Sequence, residues 1–280
     1  MQEFIQAFWQ YSFLQQALIA GLLASIGCGL IGPFVVVKRI TFLAGGIAHS
    51  VLAGMGAAVY YQFNPLIGAL IAAICAALLI GWVRLYWHTR EDTTIGALWA
   101  VGMAIGIIFI ALTPGYTTDL MSFLFGNILL VPRHELLFMA GLDIGILLIV
   151  TLFYRQFVAV AFDEEFAQLR GIPVVFFYLL LLVLVAITVV LMIQVVGLIL
   201  VIALLTLPAV IAGQWTHSLA SMMMTATGVG SLLIVIGLGA SYAPDLPPGP
   251  VIVLFAGALY LLSSVMSQLY YLWQHRRYSK

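Results

Sequence analysis

Apolar residues fill most of this chain in long runs, and each run ends at charged residues or at a Pro or Gly turn. About 20 consecutive apolar residues are enough for an α-helix to cross the hydrocarbon core of a bilayer. The pattern therefore predicts an all-α, polytopic membrane helical bundle with eight or nine transmembrane helices. The nine candidate spans are residues 14–37, 43–61, 65–83, 94–112, 135–154, 173–193, 195–213, 219–241 and 250–273.

Two apolar stretches are not expected to cross. Residues 120–131 would reach only about 18 Å as a helix at 1.5 Å per residue. They predict a half-helix or re-entrant element on the outer side. Residues 1–12 contain Glu3 and no basic residue, unlike the positively charged start of a signal peptide. Their aromatic side chains predict an interfacial helix at headgroup depth.

Composition indicates a membrane protein, and the distribution of charge predicts its orientation across the membrane. With 64% hydrophobic and 7% charged residues, the chain has too little polar surface to coat a water-soluble domain. Of the ten Lys and Arg residues, all except Arg133 fall in gaps that alternating spans place on one side. Because basic residues concentrate in cytoplasmic loops, the N-terminus is predicted outside and the C-terminus in the cytoplasm.

Several classes of function are disfavoured by what the sequence lacks. Cys28 and Cys75 both lie within spans and have no CxxC or Cys/His spacing, so neither a disulfide framework nor a zinc cage is indicated. No phosphate-binding G-x-x-x-x-G-K-[ST] loop is present, so any ATP hydrolysis requires a separate chain. The basic residues are too scattered to bind nucleic acid. We predict a single transmembrane domain over residues 1–280.

The longest hydrophilic stretch, residues 155–171, predicts one short helix on the cytoplasmic side. A capping residue and acidic side chains suit the positive end of a helix dipole, while a basic residue and glycine suit its other end. Residues of both kinds are present in order: Asp163, Glu164 and Glu165, then Arg170 and Gly171.

This short helix also has an apolar face. Phe162, Phe166 and Leu169 recur at i, i+4 and i+7, so they lie on one side and are rimmed by charge. An apolar face on a cytoplasmic loop indicates either a docking surface for another protein or a helix lying on the bilayer.

A second candidate is a face of small residues in the span at 43–61. Gly45, His49 and Ala53 recur every four residues, so another helix can approach closely around one imidazole. Ionisable residues within spans are functional candidates, and a neutral imidazole binds metals. The alternative is a histidine hydrogen-bonded to a neighbouring helix. One imidazole cannot complete a tetrahedral metal site, so other spans, a second copy or water must supply further ligands.

Other positions within apolar surroundings are candidates for lining a pore. Pro208 interrupts an apolar span and predicts a kink. Asp143 is a candidate as well, although an aspartate within a span more often makes a hydrogen bond to a neighbouring helix. The possible pore-lining residues are Gly45, Ala53, Asn127, Asp143 and Gln194.

Several segments, taken in order along the chain, resemble one family. They are residues 34–39, the His49 helix, residues 119–127, residues 163–173, residues 197–208 and the Pro-Pro-Gly turn at 247–249. Together they resemble the permease subunits of ATP-binding-cassette (ABC) importers for zinc, manganese or iron, the ZnuB and MntB type. The resemblance covers most of the chain, and the blocks at 119–127 and 197–208 are the most specific.

That resemblance implies a type II ABC importer fold and a homodimer in the bacterial inner membrane. It implies a cytoplasmic ATP-binding subunit docked on a coupling helix at 163–171, and an extracytoplasmic metal-binding protein that delivers the ion. The chain would then be a transport subunit rather than an enzyme. It would bind no cofactor of its own and would pass a divalent metal by way of His49.

Two positions depart from the family pattern. Gly45 stands where many relatives carry an acidic ligand four residues before the histidine, and Asn127 stands where some carry Asp. A pore site in this chain is therefore poorer in negative charge, and the metal is left open among zinc, manganese and iron.

Two rival classes of function fit the sequence less well. An ion-coupled secondary transporter would use Asp143, Gln194 and His49 as a polar path, but the two halves of the chain show no inverted repeat. An intramembrane enzyme would need Ser50 and His49 to share a proton, whereas adjacent residues on a helix point about 100° apart. The importer permease is therefore the leading prediction.

Overall fold

The computed structural model describes residues 2–86, 91–114, 126, 128–198 and 201–278. Over these residues the chain forms helices and a short 3₁₀ turn, and no strand. The helices are α1 Gln2–Gln10, α2 Ser12–Val37, α3 Thr41–Tyr60, α4 Pro65–Tyr86, α5 Glu91–Leu112, α6 Arg133–Leu152, α7 Tyr154–Phe162, α8 Glu164–Leu169, α9 Val174–Val196, α10 Val201–Trp215, α11 Leu219–Tyr242 and α12 Pro248–Tyr278, with the 3₁₀ turn at Ile128–Leu130. The predicted all-α membrane bundle is confirmed.

The number of spans agrees with the prediction of eight or nine. Among the described residues, 8 helices are long and apolar enough to cross a membrane. The ninth predicted span is α10, which has 15 residues and reaches about 22 Å at 1.5 Å per residue. Gly197 adopts a φ of 75° between α9 and α10 and so ends α9 before α10 begins.

The segment that was expected to hold one short helix holds two. Residues 155–171 contribute to both α7 and α8, because the chain turns at Phe153 and again at Asp163. No Pro or Gly marks the first break, so the sequence pattern did not reveal α7. Most of the expected short element at 120–131 lies outside the described residues. Its last part is the turn Ile128–Leu130.

Helix α2 lies at the centre of the bundle and is lined with small residues. It packs against α6, α9, α10 and α11. A Cβ on Gly29 would lie 2.7 Å from the Cα of Thr227 in α11, so a side chain at this position would force the two backbones apart. The Ser25 hydroxyl donates a hydrogen bond of 3.0 Å to the carbonyl oxygen of the same threonine. The approach of α11 to α2 is therefore set by the missing side chain.

Helix α3 is held between α4 and α5 by similar contacts. A Cβ on Gly56 would lie 2.5 Å from the carbonyl oxygen of Gly106 in α5, and a Cβ on Gly102 would lie 2.7 Å from the Cα of Ser50. On the other side, Gly54 of α3 faces Gly68 of α4 with their backbones in contact. Small residues thus fix the position of α3, which carries His49.

Candidate functional site

His49 lies near the middle of α3, and 8% of the residue is exposed. Its ring stacks on Trp99 of α5 with 3.9 Å between ring centroids and 11° between ring planes. Its Nδ1 is buried and has no hydrogen-bond partner among the described residues. A histidine that served only to join two helices would be expected to hydrogen-bond through one of its two ring nitrogens, and no such bond is found for His49 among the described residues. The structure therefore leaves one potential ligand atom unused.

The space beside Gly45, one turn before His49, is filled by apolar side chains. A Cβ on Gly45 would lie 2.8 Å from Cδ1 of Ile202 and 3.6 Å from the Trp99 ring. These two apolar side chains therefore occupy the space into which a carboxylate would project. Ala53, one turn further along α3, is half-buried.

Within the described part of the chain, no three His, Cys, Asp or Glu side chains come close enough together to hold a metal. The other candidate pore residues do not gather around His49. Asp143 of α6 is 4% exposed and lies at an interface with α2, where a Cβ on Gly27 would be 2.8 Å from Oδ1. The described residues offer neither oxygen a hydrogen-bond partner. Gln194 is in α9, but its side chain lies outside the described residues, as does Asn127.

Helix α8 has the ends that its sequence predicts. The Phe166 amide donates a 2.9 Å hydrogen bond to Oδ1 of Asp163, which caps the start of the helix. At the other end Gly171 has a φ of 74°, and its amide donates to the Gln168 carbonyl. The Ile172 amide closes the turn on the carbonyl of Ala167, which completes a Schellman motif.

The apolar face of α8 points away from the protein. Phe162, Phe166 and Leu169 are 66%, 46% and 88% exposed, whereas Ala167 on the opposite side is fully buried. The Arg170 guanidinium lies 4.7 Å from the centre of the Phe166 ring. We call the eight predicted positions around this face the α8 surface: Phe162, Asp163, Glu164, Glu165, Phe166, Leu169, Arg170 and Gly171.

A groove adjoins the α8 surface at Phe162. Its volume is about 410 Å³. It lies where the end of α2, the helix α7 and the turn between α10 and α11 meet. The lining residues are Val37, Tyr154, Val158, Phe162, Gly213, Thr216, His217, Ser218, Leu219 and Met222.

Two contacts at these sites were not found from the sequence. Trp99 stacks on His49, and Lys38, just beyond the end of α2, forms an ion pair with Glu164 of α8. Neither contact lies within a motif, since its partners are separated by 50 and 126 positions. Only the position of Lys38 in a cytoplasmic turn could have pointed to an acidic partner on the same side.

Known proteins match this chain over nearly its whole length. The ABC 3 transport family matches residues 10–267. An uncharacterised membrane protein of Synechocystis sp. is 48% identical over 91% of this chain and 90% of that protein. The manganese transport system membrane protein MntC of Halalkalibacterium halodurans is 36% identical over 94% and 90%. The solved structure of PsaBC from Streptococcus pneumoniae in complex with Fab has a TM-score of 0.86 at 34% identity and covers 94% of both chains.

The fold and these matches define a membrane permease subunit of an ABC importer, which is not itself an enzyme. The chain belongs to the ABC 3 transport family. The resemblance to metal importer permeases and the type II importer-like fold are both confirmed. The same matches do not favour an ion-coupled secondary transporter.

Proposed function

We propose that this chain forms the translocation pathway of an ABC importer for a divalent transition metal ion. Manganese is the first candidate among manganese, zinc and iron, because relatives 36% and 35% identical to this chain are named manganese transport system membrane proteins. The proposed assembly has two copies of the chain in the bacterial inner membrane. Their N-termini lie outside and their C-termini in the cytoplasm.

The observation that carries the proposal is the unused Nδ1 of His49 in a membrane-spanning helix. An imidazole nitrogen with no partner among the described residues can bind a passing cation once movement of the helices exposes this buried atom to the pathway. Two His49 side chains, one from each copy, would face each other across the twofold axis, with Gly45 and Ala53 on the same wall. Because an ion that is released on every cycle must bind weakly, a site with few ligands suits transport better than a closed cage.

The α8 surface is the proposed contact for the cytoplasmic ATP-binding subunit. Exposed aromatic and aliphatic side chains surrounded by charges are typical of surfaces that another protein covers. The groove beside Phe162 adds a concave part to the same surface. Closure of the ATPase on two copies of α8 would then open the pathway alternately to each side. An extracytoplasmic binding protein would deliver the metal to the outer end.

Replacement of His49 tests this function. In cells that lack the native chain, we expect His49→Ala to lower metal uptake at least tenfold, because the pathway loses its only imidazole in α3. Uptake of manganese, zinc and iron is measured in parallel, and manganese is expected to fall most. The amount of purified complex with its ATPase should not change, since His49 is a buried residue of α3 and is not part of the exposed α8 surface.

The matched control is His134→Ala, which removes an exposed imidazole at the start of α6. This variant should transport as the unchanged chain does. Normal uptake by the His49→Ala variant would remove His49 from the pathway. A loss confined to zinc or iron would overturn the choice of manganese, and metal uptake that persists without any ATPase would overturn the importer itself.

A further inference from the structure

Helix α8 is attached to the rest of the bundle at few points. Its six residues are exposed except for Ala167. The chain leads from α7 into α8 and from α8 into α9, so both covalent neighbours are helices other than α3. The contact that reaches towards α3 is the ion pair of Glu164 with Lys38. The Lys38 side chain is 8% exposed and that of Glu164 is 45% exposed.

The Lys38 end of this ion pair belongs to a tight corner between α2 and α3. Arg39 has a φ of 58°, a left-handed conformation that is rare for a residue with a side chain. The Arg39 amide donates to Val36 at 3.1 Å, and the Ile40 amide donates to Val35 at 3.0 Å. These bonds close the end of α2 directly before α3 begins at Thr41. A displacement of Lys38 is therefore passed to the first turn of α3.

From this corner to His49 the path is one continuous helix. The eight steps along the helix from Thr41 to His49 correspond to about 12 Å along α3. Over this distance α3 is packed against the neighbouring helix α5 through Gly46, where a Cβ would lie 3.5 Å from the carbonyl oxygen of Ile95. A packed helix moves as a unit, because its backbone hydrogen bonds resist local extension.

We propose that the Lys38–Glu164 ion pair is the contact that transmits movement of α8 to α3 and thus to His49. The inference rests on the proposed function and assigns a positioning role, since neither residue touches the metal. Within the described residues Lys38 pairs with no second carboxylate, so this largely buried ammonium group loses its counter-charge when Glu164 is changed. Transmission should therefore require opposite charges at positions 38 and 164. It should not depend on which of the two positions carries the positive charge.

Charge reversal in the purified complex with its ATPase tests this role in proteoliposomes. Lys38→Glu and Glu164→Lys alone should each lower the number of metal ions transported per ATP hydrolysed at least tenfold. The ATPase should still co-purify with the Lys38→Glu variant, because Lys38 lies outside the α8 surface. For the Glu164→Lys variant, the ratio refers only to ATP hydrolysed by complexes that retain the ATPase. The double variant, Lys38→Glu with Glu164→Lys, should regain at least half of the original ratio. A purely structural role would instead lower the yield of folded complex in the single variants and leave the ratio of metal to ATP unchanged in the complex that is recovered.

Asp92→Lys is the matched control, since it reverses an exposed carboxylate at the start of α5. Its transport per ATP should equal that of the unchanged protein. An unchanged ratio in both single variants, or a double variant as poor as the singles, would overturn the proposal. Loss of the ATPase from the Lys38→Glu complex would also overturn it, because the ion pair would then serve docking.

If a charge-reversal variant is not recovered from the membrane, the neutral variants Glu164→Gln and Lys38→Gln replace it. The number of metal ions transported per ATP hydrolysed is measured in the same way. A fall supports transmission through the ion pair, and no change contradicts it. Failure of the proposed function has a different signature, because the unchanged complex would then show no ATP-dependent metal transport at all.

Discussion

Single glycines decide how closely the helices of this protein approach. A Cβ on Gly106 of α5 would lie 2.6 Å from the carbonyl carbon of Leu52 in α3, whereas nothing lies within 4 Å of a Cβ on Gly96 in the same helix. We expect Gly106→Ala to destabilise the protein by about 1–3 kcal/mol, because α5 must move away from α3. Thermal unfolding of the detergent-solubilised protein measures the effect.

Gly96→Ala is the control for that measurement. Both substitutions add one methyl group to α5 and both remove a helix-weakening glycine. The Gly96 variant should therefore be as stable as the unchanged protein or slightly more stable. Equal unfolding temperatures for the two alanine variants would contradict the close approach of α5 to α3.

At the residue scale, the sequence could point to groups but not to their surroundings. His49 and Asp143 were candidates because ionisable side chains are rare within spans. Their unbonded atoms could not be predicted, since these depend on Trp99 and Gly27 from other helices. Interhelical contacts of this kind have no local signal, whereas the capping residues of α8 have one.

Among the elements, α8 has the clearest link between sequence and structure, and it carries the proposed contact with the ATPase. Gly171 ends it with a φ of 74°, and a Cβ there would meet nothing within 4 Å. The cost of Gly171→Ala is therefore conformational and is about 1 kcal/mol. Through this loss of order, the affinity for the ATPase should fall about fivefold in a binding titration.

Gly171→Asn provides the comparison, because asparagine tolerates the left-handed conformation better than alanine. It should retain more of the ATPase affinity than the alanine variant does. Equal binding by the unchanged protein and the Gly171→Ala variant would show that the ordered end of α8 is not needed for docking.

The presence of a helix was easier to predict than the residues at which it begins and ends. Each of the nine predicted spans contains a helix, because apolar runs of this length admit no other structure in a bilayer. The predicted span at 250–273 belongs to a longer helix, Pro248–Tyr278. Helix α7 was missed, since Phe153 ends α6 without a Pro or Gly nearby and the following residues have helical spacing. Charge and helix-breaking residues show the main boundaries, and tertiary packing adds others.

For the whole molecule, the packing agrees with the charge pattern. The ion pair of Lys38 with Glu164 brings the corner after α2 next to α8. The groove lined by Val37, Phe162 and Leu219 brings the end of α2, helix α7 and the turn before α11 together. All of these segments therefore lie at one end of the bundle. The distribution of Lys and Arg independently assigned these segments to one side. The proposed sidedness and the proposed pairing of two copies depend on the membrane and on a second chain rather than on contacts within one chain.

The direction of the chain across the membrane can be measured with introduced cysteines. Native Cys28 and Cys75 are first replaced by alanine. Leu169→Cys then places a thiol on the α8 surface at a position that is 88% exposed, and Leu246→Cys places one in the turn between α11 and α12 at a position that is 51% exposed. A membrane-impermeant thiol reagent should label the Leu246→Cys variant in intact cells. It should label the Leu169→Cys variant only after permeabilisation.

The reverse labelling pattern would be decisive against the proposed mechanism. ATP is hydrolysed in the cytoplasm, so a helix that transmits force from an ATPase must be accessible from that side. If Leu169→Cys reacted in intact cells, α8 would face the exterior, and the positive residues beside it would break the usual distribution of charge. Labelling of both variants only after permeabilisation would instead move the turn at Leu246 to the cytoplasm. That result would require an even number of crossings between α8 and that turn, where the proposed topology has three.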